Sequence, residues 1–201
     1  MTPEELIRED WKKHRDEIST AGYENCAFVK IPRTGTQSIN MILRQKMGHR
    51  TAVEWRHRYK KKWEDAFKFT IVRHPFTRFV SAWHHCDHIR ADYHGVDYGD
   101  SIIDINEFVR QMIIPRPLRI VFKPQYLYVY DGDELLVDKV YKFEQLNEAW
   151  EDIKEKVGID KDTKLPHLHQ TLGKKDELNR LSKKILAECY KVDFERFNYA
   201  I

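Results

Sequence analysis

The stretch from Phe28 to Asn40, FVKIPRTGTQSIN, constrains the fold of this chain more than any other. A short apolar run, Phe28-Val29 with Ile31, meets Pro32. A small polar loop follows, Arg33-Thr34-Gly35-Thr36-Gln37-Ser38. Ile39, Met41, Ile42 and Leu43 then resume at helical spacing. Strand, tight loop and helix together present backbone N–H groups to an anion. Gly35 permits the tight backbone path, and Thr34, Thr36 and Ser38 bring hydroxyl donors. Arg33 adds a full charge on a planar fork of N–H groups. No Gly-Lys-Ser/Thr closes the loop, which separates it from the common nucleotide loop. An ordinary strand-to-helix turn with a surface arginine shares this local pattern, so the loop acquires meaning only beside a second motif.

That second motif is FTIVRHPFTRFVSAW, Phe69 to Trp83. Arg73 lies just past a buried strand, and Pro75 opens a helix. Ser81 stands eight positions after Arg73, with Arg78 one turn before it. A phosphate-like group fits between Arg73 and the Ser81 hydroxyl. The competing reading has Arg73 in a structural ion pair and Ser81 as a small residue at a helix contact.

Strands alternating with helices predict an α/β fold, a three-layer sandwich around a central, mostly parallel sheet flanked by helices. Strands are expected at Cys26–Ile31, Phe67–Val72 and near Lys142-Phe143. Helices are expected over the first 22 residues, where Thr2, Pro3 and Glu5 suit a helix start, and over Thr36–Lys46. Further helices are expected within Thr51–Asp65, after Pro75, and over Asp104–Met112, Gln145–Val157 and Lys174–Tyr190. In such sheets ligands gather beyond the carboxyl ends of the strands, where both motifs lie. With 201 residues and neither repeats nor low-complexity linkers, the chain reads as a single domain, residues 1–201.

Composition narrows the function. The chain is 41% hydrophobic and 33% charged, which excludes a disordered chain. A net charge of +3 is too small for general nucleic-acid binding. Between Arg44 and Lys62 basic residues crowd against Glu54 alone, either as a solvated face or as a rim that attracts an anion. No run of about 18 apolar residues is present to span a membrane. The charged start MTPEELIREDWKKH is unlike a signal peptide. Cys26, Cys86 and Cys189 are odd in number and scattered, which implies no zinc site and a reduced, cytoplasmic setting.

The loop IPRTGTQS together with FTIVRHPFTRFVSAW resembles the sulfotransferases that use 3'-phosphoadenosine 5'-phosphosulfate (PAPS), and most of all their carbohydrate-modifying, family 2 branch. FKPQYLY, VDKVYKFEQL, LPHLHQT and CYKVDFERFNY resemble later landmarks in the same order, so the likeness runs from about Cys26 to Tyr199. The resemblance implies a P-loop-like core and a soluble transferase of the EC 2.8.2 type. It moves a sulfuryl group from PAPS to a hydroxyl, expected on a glycan, and releases adenosine 3',5'-bisphosphate (PAP) without a metal. Arg33, Thr34, Gly35, Thr36, Gln37 and Ser38 would hold the 5'-phosphosulfate, and Arg73 with Ser81 the 3'-phosphate. The family has Lys where this chain has Arg33. Arginine does not give up a proton near neutral pH, so binding carries over to Arg33 more directly than catalysis does.

In-line displacement at sulfur calls for a general base, and histidine suits it. His49 lies between the two motifs, resembles the family's histidine there and is the expected base. His167 and His169 are next in line. His74 reads as a helix-start contact. Residues 84–103 read as an acceptor-binding loop, polar and rich in Tyr and His, with His84, His88, Glu144 and His167 as expected substrate contacts. His84, Cys86, Asp87 and His88 show no fixed metal-ligand pattern. Two other readings remain open: a nucleotide-kinase-like phosphotransferase, disfavoured by the missing Lys and by the lack of a magnesium-binding Asp, and a non-catalytic anion- or sulfated-glycan-binding protein.

Overall fold

The computed structural model describes residues 23, 25–45, 48–88, 104–112, 120–166 and 177–201, without the side chains of 86–88 and 111–112. The helix expected over residues 1–22, the loop 89–103 and both His167 and His169 lie outside the described residues.

Among the described residues three parallel strands form the sheet: β1 (Cys26–Val29), β2 (Phe67–Val72) and β5 (Lys139–Lys142), in the order β1-β2-β5. β2 is central. Its register pairs Phe28 with Phe69 and Val29 with Thr70 on one side, and Ile71 with Tyr141 and Val72 with Lys142 on the other. The Phe28 and Phe69 rings stack at 4.8 Å. Thr70, fully buried, donates from Oγ1 to the Val29 carbonyl at 2.8 Å.

Both faces of the sheet are covered, as parallel strands require. Alternation along β1 sends Cys26 and Phe28 to one face, and Ala27 and Val29 to the other. On the first face pack α1 (Thr36–Leu43) through Ile39, Ile42 and Leu43, and α7 (Leu146–Val157) through Ala149, Trp150, Ile153 and Val157. On the second lie α2 (Ala52–Arg58) through Trp55 and α3 (Lys60–Asp65) through Trp63, with α6 (Tyr126–Val129) beside them. A third cluster joins α4 (Pro75–His88), α5 (Ile105–Met112), α8 (Arg180–Cys189) and α9 (Lys191–Arg196) around Phe79, Phe108, Phe122 and Phe194. A small antiparallel ribbon, β3 (Tyr130–Asp131) with β4 (Glu134–Leu135), completes the described elements.

β1 is an edge strand, and its outer edge is served by one side chain. Gln45 donates from Nε2 to the Cys26 carbonyl at 2.8 Å, and its Oε1 accepts from the Phe28 amide at 3.1 Å. A buried edge would otherwise leave both groups unsatisfied.

The expected helix within Thr51–Asp65 is two helices. Thr51 and Glu54 form a full capping box for the first. Tyr59, at φ −132° and ψ 49°, breaks the path before Lys60. The last long helix begins later than expected. Asn179 caps it by accepting the Ser182 amide, so residues 177–179 are not helical, and α9 follows as a separate turn. Among the described residues no helix is long and apolar enough to cross a membrane.

Phe69 touches Phe28, Phe67 and Tyr141 at the centre of the sheet. Phe69→Ala is expected to cost about 3–5 kcal/mol, read as a lowered urea midpoint at unchanged m-value.

Candidate functional site

The carboxyl ends of β1, β2 and β5 open on the same side of the sheet. The segments that leave them, residues 30–35, 73–74 and 143–144, meet there. Arg33 (φ 69°) and Gly35 (φ 77°) both take left-handed backbone, so the loop turns sharply before α1. Such a conformation strains any residue but glycine, and the strain at Arg33 marks a position where the side chain matters. Thr34 is fully buried and donates its hydroxyl to the Ile31 carbonyl at 2.9 Å. That hydroxyl holds the turn together instead of facing the cavity.

The Phe143 ring closes over the loop. A Cβ added to Gly35 would lie 3.0 Å from the Phe143 ring and 3.3 Å from Leu146. The same ring lies 4.5 Å from the Arg73 guanidinium, a cation–π contact. Arg73 donates from Nε to Thr77 Oγ1 at 3.2 Å and from Nη1 to the Arg33 carbonyl at 3.4 Å. Burial pulls its pKa down, Glu144 pushes it back, and the charges of Arg33 and Arg78 lower it further. Arg33 in turn reaches across to α4, donating from Nε and Nη2 to Ser81 Oγ at 3.2 and 3.1 Å.

These residues surround one cavity of about 260 Å³, lined by Arg33, Gly35, Thr36, Gln37, Ser38, His49, Arg73 and Ser81 of the expected set. Lys30, Asn40 and His85 also line it, and among the described residues no carboxylate does. A second cavity of about 630 Å³ shares Arg73 and Ser81 and adds His74, His84 and Lys183.

His49 stands exposed at the first cavity, with Nδ1 2.9 Å from the Lys30 carbonyl. A ring nitrogen facing a carbonyl carries the proton, which leaves Nε2 as the basic nitrogen. Desolvation lowers its pKa from the ordinary 6.5, the carbonyl bond raises it, and the Lys30 charge lowers it again. Lys30 is a residue the sequence reading passed over. Its ammonium, 7% exposed, donates to Asn40 Oδ1 at 3.0 Å and to the Gln45 carbonyl at 2.7 Å. Burial brings its pKa down to about 8. A charge inside the otherwise apolar FVKIP run was the signal.

Other expected contacts fall elsewhere. Glu144 accepts the His74 amide and the Tyr199 hydroxyl, both at 2.8 Å, and lines neither cavity. His84 is buried and belongs to the second cavity. His88 ends α4, and its side chain is not described. His74 is held by the chain terminus, with Nε2 3.0 Å from the Ala200 carbonyl, and packs on Phe194 and Tyr199. In the basic run, Arg56 pairs with Asp131 at 2.6 Å while Arg58, Lys60 and Lys61 are exposed. Among the described residues no three His, Cys, Asp or Glu side chains gather as a metal site.

Two arginine-bearing turns, at the ends of adjacent parallel strands, meet at one cavity of an α/β protein. The sequence profile of the sulfotransferase family matches residues 21–200, and the chain belongs to that family, whose chemistry is sulfuryl transfer. No curated protein and no solved structure matches it.

Gly35→Ala is expected to lower stability by roughly 1–3 kcal/mol, because the new methyl meets Phe143 on left-handed backbone. A reduced melting temperature with weakened anion binding would report both effects.

Proposed function

We propose that this protein transfers the sulfuryl group of PAPS to a hydroxyl, expected on a carbohydrate, in a reducing, cytosolic setting. The observation that carries this reading is that Arg33 and Arg73, from different strand ends, face one cavity and meet through Ser81 and the Arg33 carbonyl. PAPS is a nucleotide with anionic groups at two separated positions, and two cationic turns on one cavity suit it.

In this reading the Arg33 loop and the start of α1 hold the phosphosulfate, with helix N–H groups and the Ser38 side chain near it. Arg73 and Ser81 hold the 3'-phosphate. His49 Nε2 takes the proton of the acceptor hydroxyl as the acceptor oxygen bonds to sulfur. The bond between sulfur and the bridging oxygen breaks in line, and PAP leaves with its electron pair. Arg33 steadies the charge on that oxygen electrostatically, without proton donation. The acceptor sits on the His49 side of the cavity, within reach of Nε2.

A thermal-shift panel tests the class of ligand. Stabilisation by PAP without magnesium is expected. Stabilisation only by ATP with magnesium would point to a kinase, and a response to a sulfated glycan alone would point to a non-catalytic binder. Arg73→Ala should weaken PAP binding by on the order of 2–3 kcal/mol, measured by calorimetry; unchanged affinity would overturn the assignment. His49→Ala should lower kcat by about 10²–10⁴-fold while PAP binding stays near wild type.

The pH dependence follows from the direction of the His49 shift. The folded pKa lies below 6.5, so the imidazole is neutral and competent at neutral pH. The rate should rise with pH through that lowered pKa and level off before neutrality. His49→Ala should abolish this acid limb. Since the native state disfavours the charged ring, the associated stability is complete above 6.5 and is lost as pH falls through the folded pKa.

A further inference from the structure

We propose that Gln125 and Asp193 are positioning residues that aim Arg73 at the nucleotide's 3'-phosphate; this rests on the PAPS reading above. Arg73 follows the last ladder residue of β2, whose pairing with β5 ends at Val72 and Lys142. Beyond that point no strand among the described residues serves the Arg73 backbone. The Gln125 side chain does. Its Oε1 accepts the Arg73 amide at 2.9 Å, and its Nε2 donates to the Arg73 carbonyl at 2.8 Å. Gln125 is fully buried, so its amide has no water to exchange with.

Gln125 is itself fixed from the far end of the chain. Asp193, in α9 and fully buried, accepts the Gln125 amide on Oδ2 and the Tyr126 amide on Oδ1, each at 2.8 Å. Arg78 holds the segment just before, donating to the carbonyls of Val121 at 3.1 Å and Lys123 at 2.8 Å. The 121–126 segment is therefore pinned by buried side chains from α4 and α9. It transmits that rigidity to one residue of the site.

Among the described residues the guanidinium of Arg73 is held by one threonine hydroxyl, a long bond to the Arg33 carbonyl, the face of Phe143 and the charge of Glu144. The direction in which it leaves the backbone decides where its N–H groups point. That direction is what the two Gln125 bonds set. Neither Gln125 nor Asp193 lines the cavities described above, so an effect on ligand binding must pass through Arg73.

The test is calorimetric binding of PAP and of adenosine 5'-phosphosulfate, which lacks the 3'-phosphate. The proteins are wild type, Gln125→Met, Arg73→Ala and the double variant. Gln125→Met should weaken PAP by on the order of tenfold and adenosine 5'-phosphosulfate by less than about twofold. In the Arg73→Ala background the same change should cost less than about twofold. With PAPS as substrate, KM should rise while kcat holds. Should Gln125→Met fail to fold, Gln125→Glu serves, since it keeps the acceptor for the Arg73 amide and turns the donor into a second oxygen facing the Arg73 carbonyl. Equal weakening of both ligands, wild-type affinity in the Gln125 variants, or a full added loss in the double variant would overturn the inference while leaving the PAPS reading intact. A wild type that does not bind PAP, or an Arg73→Ala variant that binds it unchanged, would overturn that reading and the inference with it.

Discussion

The site depends on the parallel pairing of β1 with β2. Four residue pairs, from Cys26 with Phe67 to Val29 with Thr70, set both strands to run the same way and to stop near the same height. Antiparallel pairing would send their outgoing turns to opposite ends of the sheet. Parallel pairing brings the Arg33 turn and the Arg73 turn together without any long-range signal in either motif. β5 adds a third outgoing segment at the same level, and from it Phe143 and Glu144 wall the two turns in. Burial on both faces then makes the arrangement stiff, since shifting one strand would disturb helices on either side.

Two glutamines perform the same service at different places. Each offers one acceptor and one donor, in the geometry of a short piece of neighbouring strand. Gln45 does this for the outer edge of β1, and Gln125 for the residue that continues β2. Both are buried, where an unpaired main-chain group is costly. The sheet thus gains bonding partners without extra strands, and its outgoing turns remain accessible. The positive lining of the first cavity follows from the same economy of space. Among the described residues Lys30, Arg33 and Arg73 crowd one cavity without a carboxylate, and both acceptors of Lys30 are uncharged.

Much of this was legible in the residues because strong local patterns coincide with the fold. The CAFV and FTIV runs are fully buried strands. Pro75 opens its helix, and Gly158, at φ 75°, closes α7 as expected. The two anion motifs could be read because strand, turn and helix signals fall within a dozen residues. What could not be read depends on distant partners. Thr34 looks like a ligand donor until the Ile31 carbonyl is seen to claim its hydroxyl. Glu144 gives no sign in the sequence that its oxygens accept the His74 amide and the Tyr199 hydroxyl. Tyr59 carries no breaker signal, and its bend lies between Trp55 and Trp63, which are buried in the same cluster. Gln125 is one polar residue among aromatics, and only its contact with Arg73, 52 positions away, gives it meaning.

The Phe143 ring beneath Arg73 has a consequence for how the two cationic turns can drift in sequence. A flat guanidinium lies well on an aromatic plate, whereas an ammonium is a compact, strongly hydrated knob that gains less from the same ring. Arg33 reaches a serine across the cavity, with Nε and Nη2 both donating to Ser81 Oγ. Descendants of this chain should therefore hold arginine at 73 for as long as an aromatic ring survives at 143.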